Sequence, residues 1–270
     1  MPSTQHASFS GSIPLHYDRH LGPVMFEPYA RDLARRIPTH VGVRVLETAC
    51  GSGIVTRRML ERLPESAKLV ATDLHQAMVD HAREAIGDDP RVEWRTADAL
   101  QLPFPDASFD AVAMQFGIMF LPDKPLGLRE ARRVLKAGGR LVFSAWDSFA
   151  KNAFGRIAND VMVAMFPDDP PSFYLTPFGD HDPEAHAARA RAAGFREVSV
   201  EGVGFESMGE SAESFAKGLV RGQPLLLEVR ERGTVTIEAL ESRLADALRR
   251  ELGDRPVRAC LHAWVVTAKA

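Results

Sequence analysis

The chain reads as an α/β protein with a doubly wound, mostly parallel sheet, and three observations predict it. Val45-Leu46-Glu47-Thr48-Ala49-Cys50-Gly51-Ser52-Gly53 has the form of a buried strand breaking into a glycine turn. Apolar runs of strand type then alternate with helical spacing as far as Gly194. Polar residues recur where those runs end, at the edge where an open α/β sheet binds its ligands.

The N-terminal segment, residues 1–40, opens on a Ser/Gly-containing stretch followed by His16-Tyr17-Asp18. A helix is expected from about Pro23 to Ile37, because proline is tolerated in a first turn where its missing N–H leaves no partner wanting. Phe26, Tyr29, Ala30, Leu33 and Ile37 fall on one stripe of that helix. Val43, Val45 and Leu46 begin the first strand, and Ile54 to Leu63 resumes helical spacing after the turn. A ligand can touch main chain at Gly51 and Gly53, where no side chain blocks its approach. The second strand, Lys68 to Asp73, ends in a carboxylate about twenty residues after the turn, where such sheets bind a ribose diol. An ionised Asp accepts from both hydroxyls, whereas it repels a phosphate. Val92 to Ala97 is a third strand ending at Asp98, and Phe109 to Met114 a fourth ending at Gln115. Gly139 to Ser144 is a fifth, after a helix expected to end near Lys136-Ala137-Gly138.

Beyond the fifth strand, Asp147 to about Asp180 carries Phe149, Phe154, Phe173, Tyr174 and Phe178. A helix follows, with Asp182 as its cap, Pro183 at its first position and Gly194 past its end. A sixth strand, Val198 to Phe205, leads into an excursion holding Phe215, Leu219 and Leu225-Leu226-Leu227. A helix with Ile237, Leu240, Leu244 and Leu248 at helical spacing precedes a last strand, Cys260 to Ala268. At 270 residues and 45% hydrophobic content the chain can bury a full core. The expected organisation is one domain over 1–270, with a core at 41–147, a cap insertion at 148–182 and a second helical insertion at 206–257.

Five segments in order carry a family likeness: Val45 to Gly53, Ala71-Thr72-Asp73, Ala97 to Phe104, Ser108-Phe109-Asp110-Ala111-Val112, and Arg133 to Leu141. Over roughly residues 15 to 147 the chain thereby resembles class I S-adenosylmethionine-dependent methyltransferases, in the branch that includes ubiquinone and menaquinone biosynthesis enzymes. The resemblance implies a Rossmann-like methyltransferase fold, a seven-stranded sheet in the order 3-2-1-4-5-7-6 with the last strand antiparallel. It implies S-adenosylmethionine as cofactor, bound by Tyr17, Glu47, Ala49, Gly51, Ser52, Gly53, Asp73, Leu74, Met78, Asp98, Ala99, Gln115 and Phe116. Within that set Gly51 and Gly53 would line the amino-acid part, Asp73 bind the ribose and Asp98 with Ala99 face the adenine. Tyr17, Gln115, Phe116 and the stretch 149–180 would enclose the acceptor, and the same apolar residues can also serve as a small core of the cap itself. Glu47 departs from the pattern, standing where many relatives carry Asp.

The expected activity is methyl transfer to a small, apolar or aromatic molecule by in-line displacement, with no metal. Two other readings compete: a nicotinamide-dependent oxidoreductase, and a cofactor-binding protein without catalysis. Against the first, a dinucleotide site wants a third glycine where Thr56 stands, and it assigns Asp98 no task. A net charge of −3 supplies no basic field for nucleic acid, and Arg57-Arg58 and Arg249-Arg250 read as solvated helix faces. Gln115-Phe116-Gly117-Ile118 also lacks the Asn/Asp-Pro-Pro-aromatic motif that amino-methylating nucleic-acid enzymes share. Two cysteines, Cys50 and Cys260, suggest a reducing cytoplasm. Met1 to His6 has no signal-like apolar core, and no apolar run approaches the ~18 residues of a membrane span. Of nine histidines, His16, His20, His181 and His186 lie nearest the expected site, each read as a surface residue. No spacing marks a catalytic base, and Cys50 reads as a small buried turn residue.

Overall fold

The computed structural model describes residues 11–270; residues 1–10, with Met1 to His6 and most of the Ser/Gly-containing start, lie outside the described residues. The elements are α1 (Ile13–His16), a π-helical stretch (Tyr17–Phe26), α2 (Glu27–Arg36), β1 (Arg44–Thr48), α3 (Ile54–Leu60), β2 (Lys68–Asp73), α4 (Gln76–Ile86), β3 (Val92–Thr96), β4 (Phe109–Gln115), α5 (Lys124–Val134) and β5 (Leu135–Trp146). There follow α6 (Ala153–Met165), α7 (Leu175–Gly179), α8 (Pro183–Ala192), β6 (Arg196–Gly209), α9 (Ala212–Arg221), α10 (Leu225–Arg232), α11 (Ile237–Leu252) and β7 (Val257–Lys269). They fall into two compact units. One holds the residues to Pro28 with Trp146–His181 and Gly204–His262; the other holds Tyr29–Ala145, Asp182–Val203 and Ala263–Ala270.

The sheet has seven strands in the order β3-β2-β1-β4-β5-β7-β6, the order the resemblance implies. From β3 to β5 every pairing is parallel, with Leu46 opposite Val70 on one side and Val112 on the other. Such central strands are covered on both faces, which is why β1, β2 and β4 read as continuous rather than alternating apolar runs. β7 runs antiparallel to β5: Gly138 N–H donates to Ala270 O at 3.0 Å at one end, and Asp147 N–H to His262 O at 3.1 Å at the other.

Several boundaries differ from expectation. α3 stops at Leu60, and β5 begins at Leu135, so Lys136-Ala137-Gly138 belongs to a strand and not to a helix end. Phe109 pairs with Leu135 but Ala111 with Arg140, and the Gly138-Gly139 pair permits the intervening bulge. The first helix does not start at Pro23; the chain is helical from Ile13, and Pro23 lies inside the π-helical stretch. There Glu27 N–H reaches back five residues to Gly22 O, a wider winding that tolerates a residue without an N–H. The expected apolar stripe divides accordingly. Phe26 stacks on Tyr17 at 4.5 Å in the first unit. Tyr29, Ala30 and Leu33 are buried in the sheet unit, where the Tyr29 hydroxyl donates to Val203 O on β6 at 3.1 Å.

In the sheet unit α8 begins as its sequence dictates, with Asp182 accepting from Glu184 N–H at 2.9 Å and Pro183 at the first position. The first unit has a core of its own. Trp146, Phe154, Phe178 and Phe215 pack ring on ring there at 5.6 to 6.2 Å, and Leu240, Leu244 and Leu248 of α11 are buried on one face. Among the described residues no helix is long and apolar enough to cross a membrane.

Candidate functional site

In the sheet unit, four adjacent parallel strands deliver most of the expected site residues to one edge. β1 ends in Glu47 and Thr48 and turns through Ala49, Cys50, Gly51, Ser52 and Gly53 into α3. The turn is tied to β2 by Cys50 N–H donating to Thr72 O at 2.9 Å, and Gly53 O accepts the first bond of α3 from Arg57. Ala49 and Phe116, at the ends of neighbouring strands, both take left-handed backbone conformations, with φ of 55° and 52°. Such outliers in residues with a side chain cluster where structure is spent on function.

The two turn glycines have different tasks. At Gly53, φ is +82° and an added Cβ would lie 2.9 Å from Ile86 Cδ1 and 3.1 Å from Ala82 Cβ, so this glycine lets α3 approach α4. At Gly51, φ is +54° but a Cβ would meet nothing within 4 Å, so its main chain faces open space. Gly53→Ala should therefore cost about 1–3 kcal/mol of stability through overpacking and strain. Gly51→Ala should cost only about 1–2 kcal/mol from the left-handed backbone. Urea unfolding of the two variants checks the order; an equal or smaller loss at Gly53 would contradict it.

Asp73 closes β2 and is almost wholly buried. One carboxylate oxygen accepts from Gly51 N–H at 3.0 Å and the other from His75 N–H at 3.0 Å. An ionised carboxylate offers about four lone-pair sites, so this geometry leaves capacity for two further donors such as a ribose diol. Leu74 beside it is exposed despite its size, whereas Met78, in the first turn of α4, is buried. β3 leads into Asp98 and Ala99, where Asp98 Oδ1 accepts from Leu100 N–H at 2.8 Å in a local turn. Gln115 ends β4, and Phe116, next along, packs edge-on against Tyr29 at 5.1 Å and donates its N–H to Ser144 Oγ at 3.2 Å. Tyr17 belongs to the first unit, where its ring stacks on Phe26.

Glu47 is buried at 2% exposure and accepts from the Thr56 hydroxyl at 2.5 Å. Burial pushes its carboxyl up from the ordinary 4.5 to about 8; the Thr56 hydrogen bond opposes that rise and the charge of Asp73 adds to it. Thr56, at the place a dinucleotide turn would give to glycine, thus fills the space with a side chain bonded to Glu47. Nothing in the residue pattern announced this pair, although its members face each other across one strand-to-helix turn.

Other expectations about titratable groups need correction. His186 is not a surface residue: it is 1% exposed, with its ring edge-on to Phe143 at 5.9 Å, because α8 turns that side toward β5. Cys50 is buried and its thiol is pushed up by desolvation, as suits a packed turn residue. In the first unit His16 stacks on His20 at 5.8 Å, and His20 Nδ1 lies 2.9 Å from Ser214 Oγ. Sequence reasoning missed a histidine with a carboxylate partner there. His262 Nδ1 lies 2.8 Å from Asp147 Oδ2, and fully buried Asn152 accepts from His262 N–H and donates to the Asp147 and His262 carbonyls. Among the described residues no group of three or more His, Cys, Asp or Glu could hold a metal ion.

Residues 46–143 match a family model described as methyltransferase domain. A ubiquinone/menaquinone biosynthesis C-methyltransferase UbiE of Geobacter sulfurreducens is 32% identical over 142 residues, 52% of this chain and 56% of that protein. A demethylmenaquinone methyltransferase of Deinococcus radiodurans is 38% identical over 130 residues, 48% of this chain and 54% of its own length. The chain thus spans about half the length of the curated relatives it matches. Among solved structures the [4+2]-cyclase SpnF superposes with a TM-score of 0.62 at 20% identity, covering 99% of this chain and 97% of that one. A Haemonchus contortus phosphoethanolamine N-methyltransferase 2, in complex with phosphomonomethylethanolamine and S-adenosylhomocysteine, gives 0.61 at 17%, covering 95% and 56%. At those identities the two structures speak for the fold alone. The glycine turn, the carboxylate closing β2 and the matched segment lie on one stretch of chain, and over that stretch the chain is similar to methyltransferases.

Proposed function

We propose that the chain transfers a methyl group from S-adenosylmethionine to a small, apolar or aromatic acceptor by in-line displacement. The observation that carries this reading is the pairing of Gly51, open to a ligand, with Asp73, whose carboxylate keeps lone pairs for a diol. The residues present fit the cofactor. Gly51, Ser52, Gly53, Ala49 and Glu47 would hold its amino-acid end, Asp73 and Leu74 its ribose, and Asp98 and Ala99 its adenine. Met78, Gln115 and Phe116 complete the proposed set. When bound, the sulfonium supplies an already activated methyl group. What remains for the protein is to hold an acceptor atom in line at near-attack distance and to exclude water.

The relatives' names speak of ubiquinone and menaquinone biosynthesis, which supports an aromatic, quinone-type acceptor. The net charge of −3 favours a small molecule over nucleic acid, and the two free cysteines suit a reducing cytoplasm. Against a nicotinamide enzyme, Thr56 occupies the third glycine position and is itself engaged with Glu47. Calorimetry with S-adenosylhomocysteine and with NADH tests the reading: binding of the first and none of the second is expected, and the reverse would refute it. Release of labelled methyl groups onto a hydroquinone then separates an enzyme from a protein that only binds the cofactor.

A further inference from the structure

The loop running from Asp98 to Asp106 carries the two residues assigned to the adenine; the Phe104 ring packs on Phe109 and under Arg95, and the loop's main chain is held chiefly by one side chain. Its first turn is local, with Leu100 N–H on Asp98 Oδ1 at 2.8 Å and Gln101 N–H on Asp98 O at 3.0 Å. The rest converges on a single guanidinium. Arg133 Nη2 donates to Leu102 O at 2.9 Å and to Glu130 Oε2 at 2.8 Å. Its Nη1 donates to Phe104 O at 2.7 Å and to Asp106 Oδ1 at 2.8 Å, and its Nε to Glu130 Oε1 at 2.8 Å. All five donors of the fork are thereby used. Glu130 Oε2 also accepts Leu102 N–H at 2.8 Å, so one side-chain pair fixes Leu102 by both its main-chain groups. The same Arg133 lowers the Glu130 carboxyl below its usual range.

We propose that Arg133, with Glu130, is a positioning residue for recognition of the cofactor's base, fixing the loop so that Asp98 meets the exocyclic amino group of adenine. The inference rests on the adenine assignment made under the proposed function. Its physical ground is geometric: a carboxylate discriminates an amino donor only when held in register with it, and a loop anchored at Leu102 and Phe104 cannot drift. A lysine cannot take the place of the fork. It supplies the charge but not five donors in one plane.

The test compares binding of S-adenosylhomocysteine with S-inosylhomocysteine, which carries an oxygen in place of the amino group, by calorimetry on the full chain. Wild type should prefer the adenine form and Asp98→Ala should abolish the preference. Arg133→Lys should reduce it about tenfold, the scale of one charged hydrogen bond lost from register. Glu130→Gln, which keeps the shape of the anchor, should act in the same direction to a smaller degree if Arg133→Lys does not fold. Asp98→Ala combined with Arg133→Lys should show no further loss of preference beyond Asp98→Ala alone. A preference lost in Asp98→Ala but intact in Arg133→Lys and Glu130→Gln would overturn the positioning role. A preference unchanged in Asp98→Ala would instead overturn the adenine assignment, and the inference with it.

Discussion

Replacing Asp73 by Ala is expected to lower affinity for S-adenosylhomocysteine by at least about a hundredfold, as two charged hydrogen bonds of about 1.5–3 kcal/mol each are lost. The carboxylate is nearly inaccessible to bulk water, so its bonds to a diol would be exchanged for few bonds to solvent. It also holds the turn, since the Gly51 and His75 N–H groups both donate to it. Asp73→Asn separates the two roles. An amide oxygen can still accept from one of these N–H groups, but its NH₂ cannot accept from a hydroxyl. Asn should therefore preserve the fold better than Ala while losing most of the binding. Calorimetric titration of both variants, with thermal melts as a check on folding, decides it: an unchanged affinity in a folded Asp73→Ala would refute the ribose assignment.

Glu47→Gln should change how stability depends on pH. The folded-state value of about 8 lies above the ordinary 4.5, so between these values the folded protein holds a proton that the unfolded chain has released. Stability contributed at this site is therefore fully present below about pH 4.5 and is lost as pH rises toward 8, by roughly 3 to 5 kcal/mol. Glutamine is the neutral counterpart of the protonated acid and its carbonyl oxygen can accept the Thr56 hydroxyl in the same way. The variant should lack this downward slope and be the more stable protein near pH 8. Urea unfolding of both proteins at several pH values between 5 and 8.5 measures the difference; parallel profiles would remove Glu47 as its source.

The central sheet was legible in the residues because parallel strands need crossover helices, and that alternation leaves long, distinct apolar runs. The same logic puts Gly51, Asp73, Asp98 and Gln115 at one edge, since each stands where such a run ends. Helix starts with a chemical cap, such as Asp182-Pro183, were equally plain. The winding of the first helices was not. Gly22-Pro23 carries the local signature of a helix start, yet the chain around it is already helical, and in the folded state that segment packs against α9 and, through Phe26, against Trp146.

Side-chain partnerships divide in the same way. Sequence alone determined which residue types stand at which strand ends, because strand periodicity and turn chemistry act over a few neighbouring residues. Only the tertiary structure decided that Thr56 meets Glu47, that Arg133 gives three donors to the loop after Asp98 and two to Glu130, and that His186 is buried against Phe143. Those bonds and burials join groups on separate elements, in some cases tens of residues apart. Their energies come from desolvation and directional fit, quantities that exist only once the elements have packed.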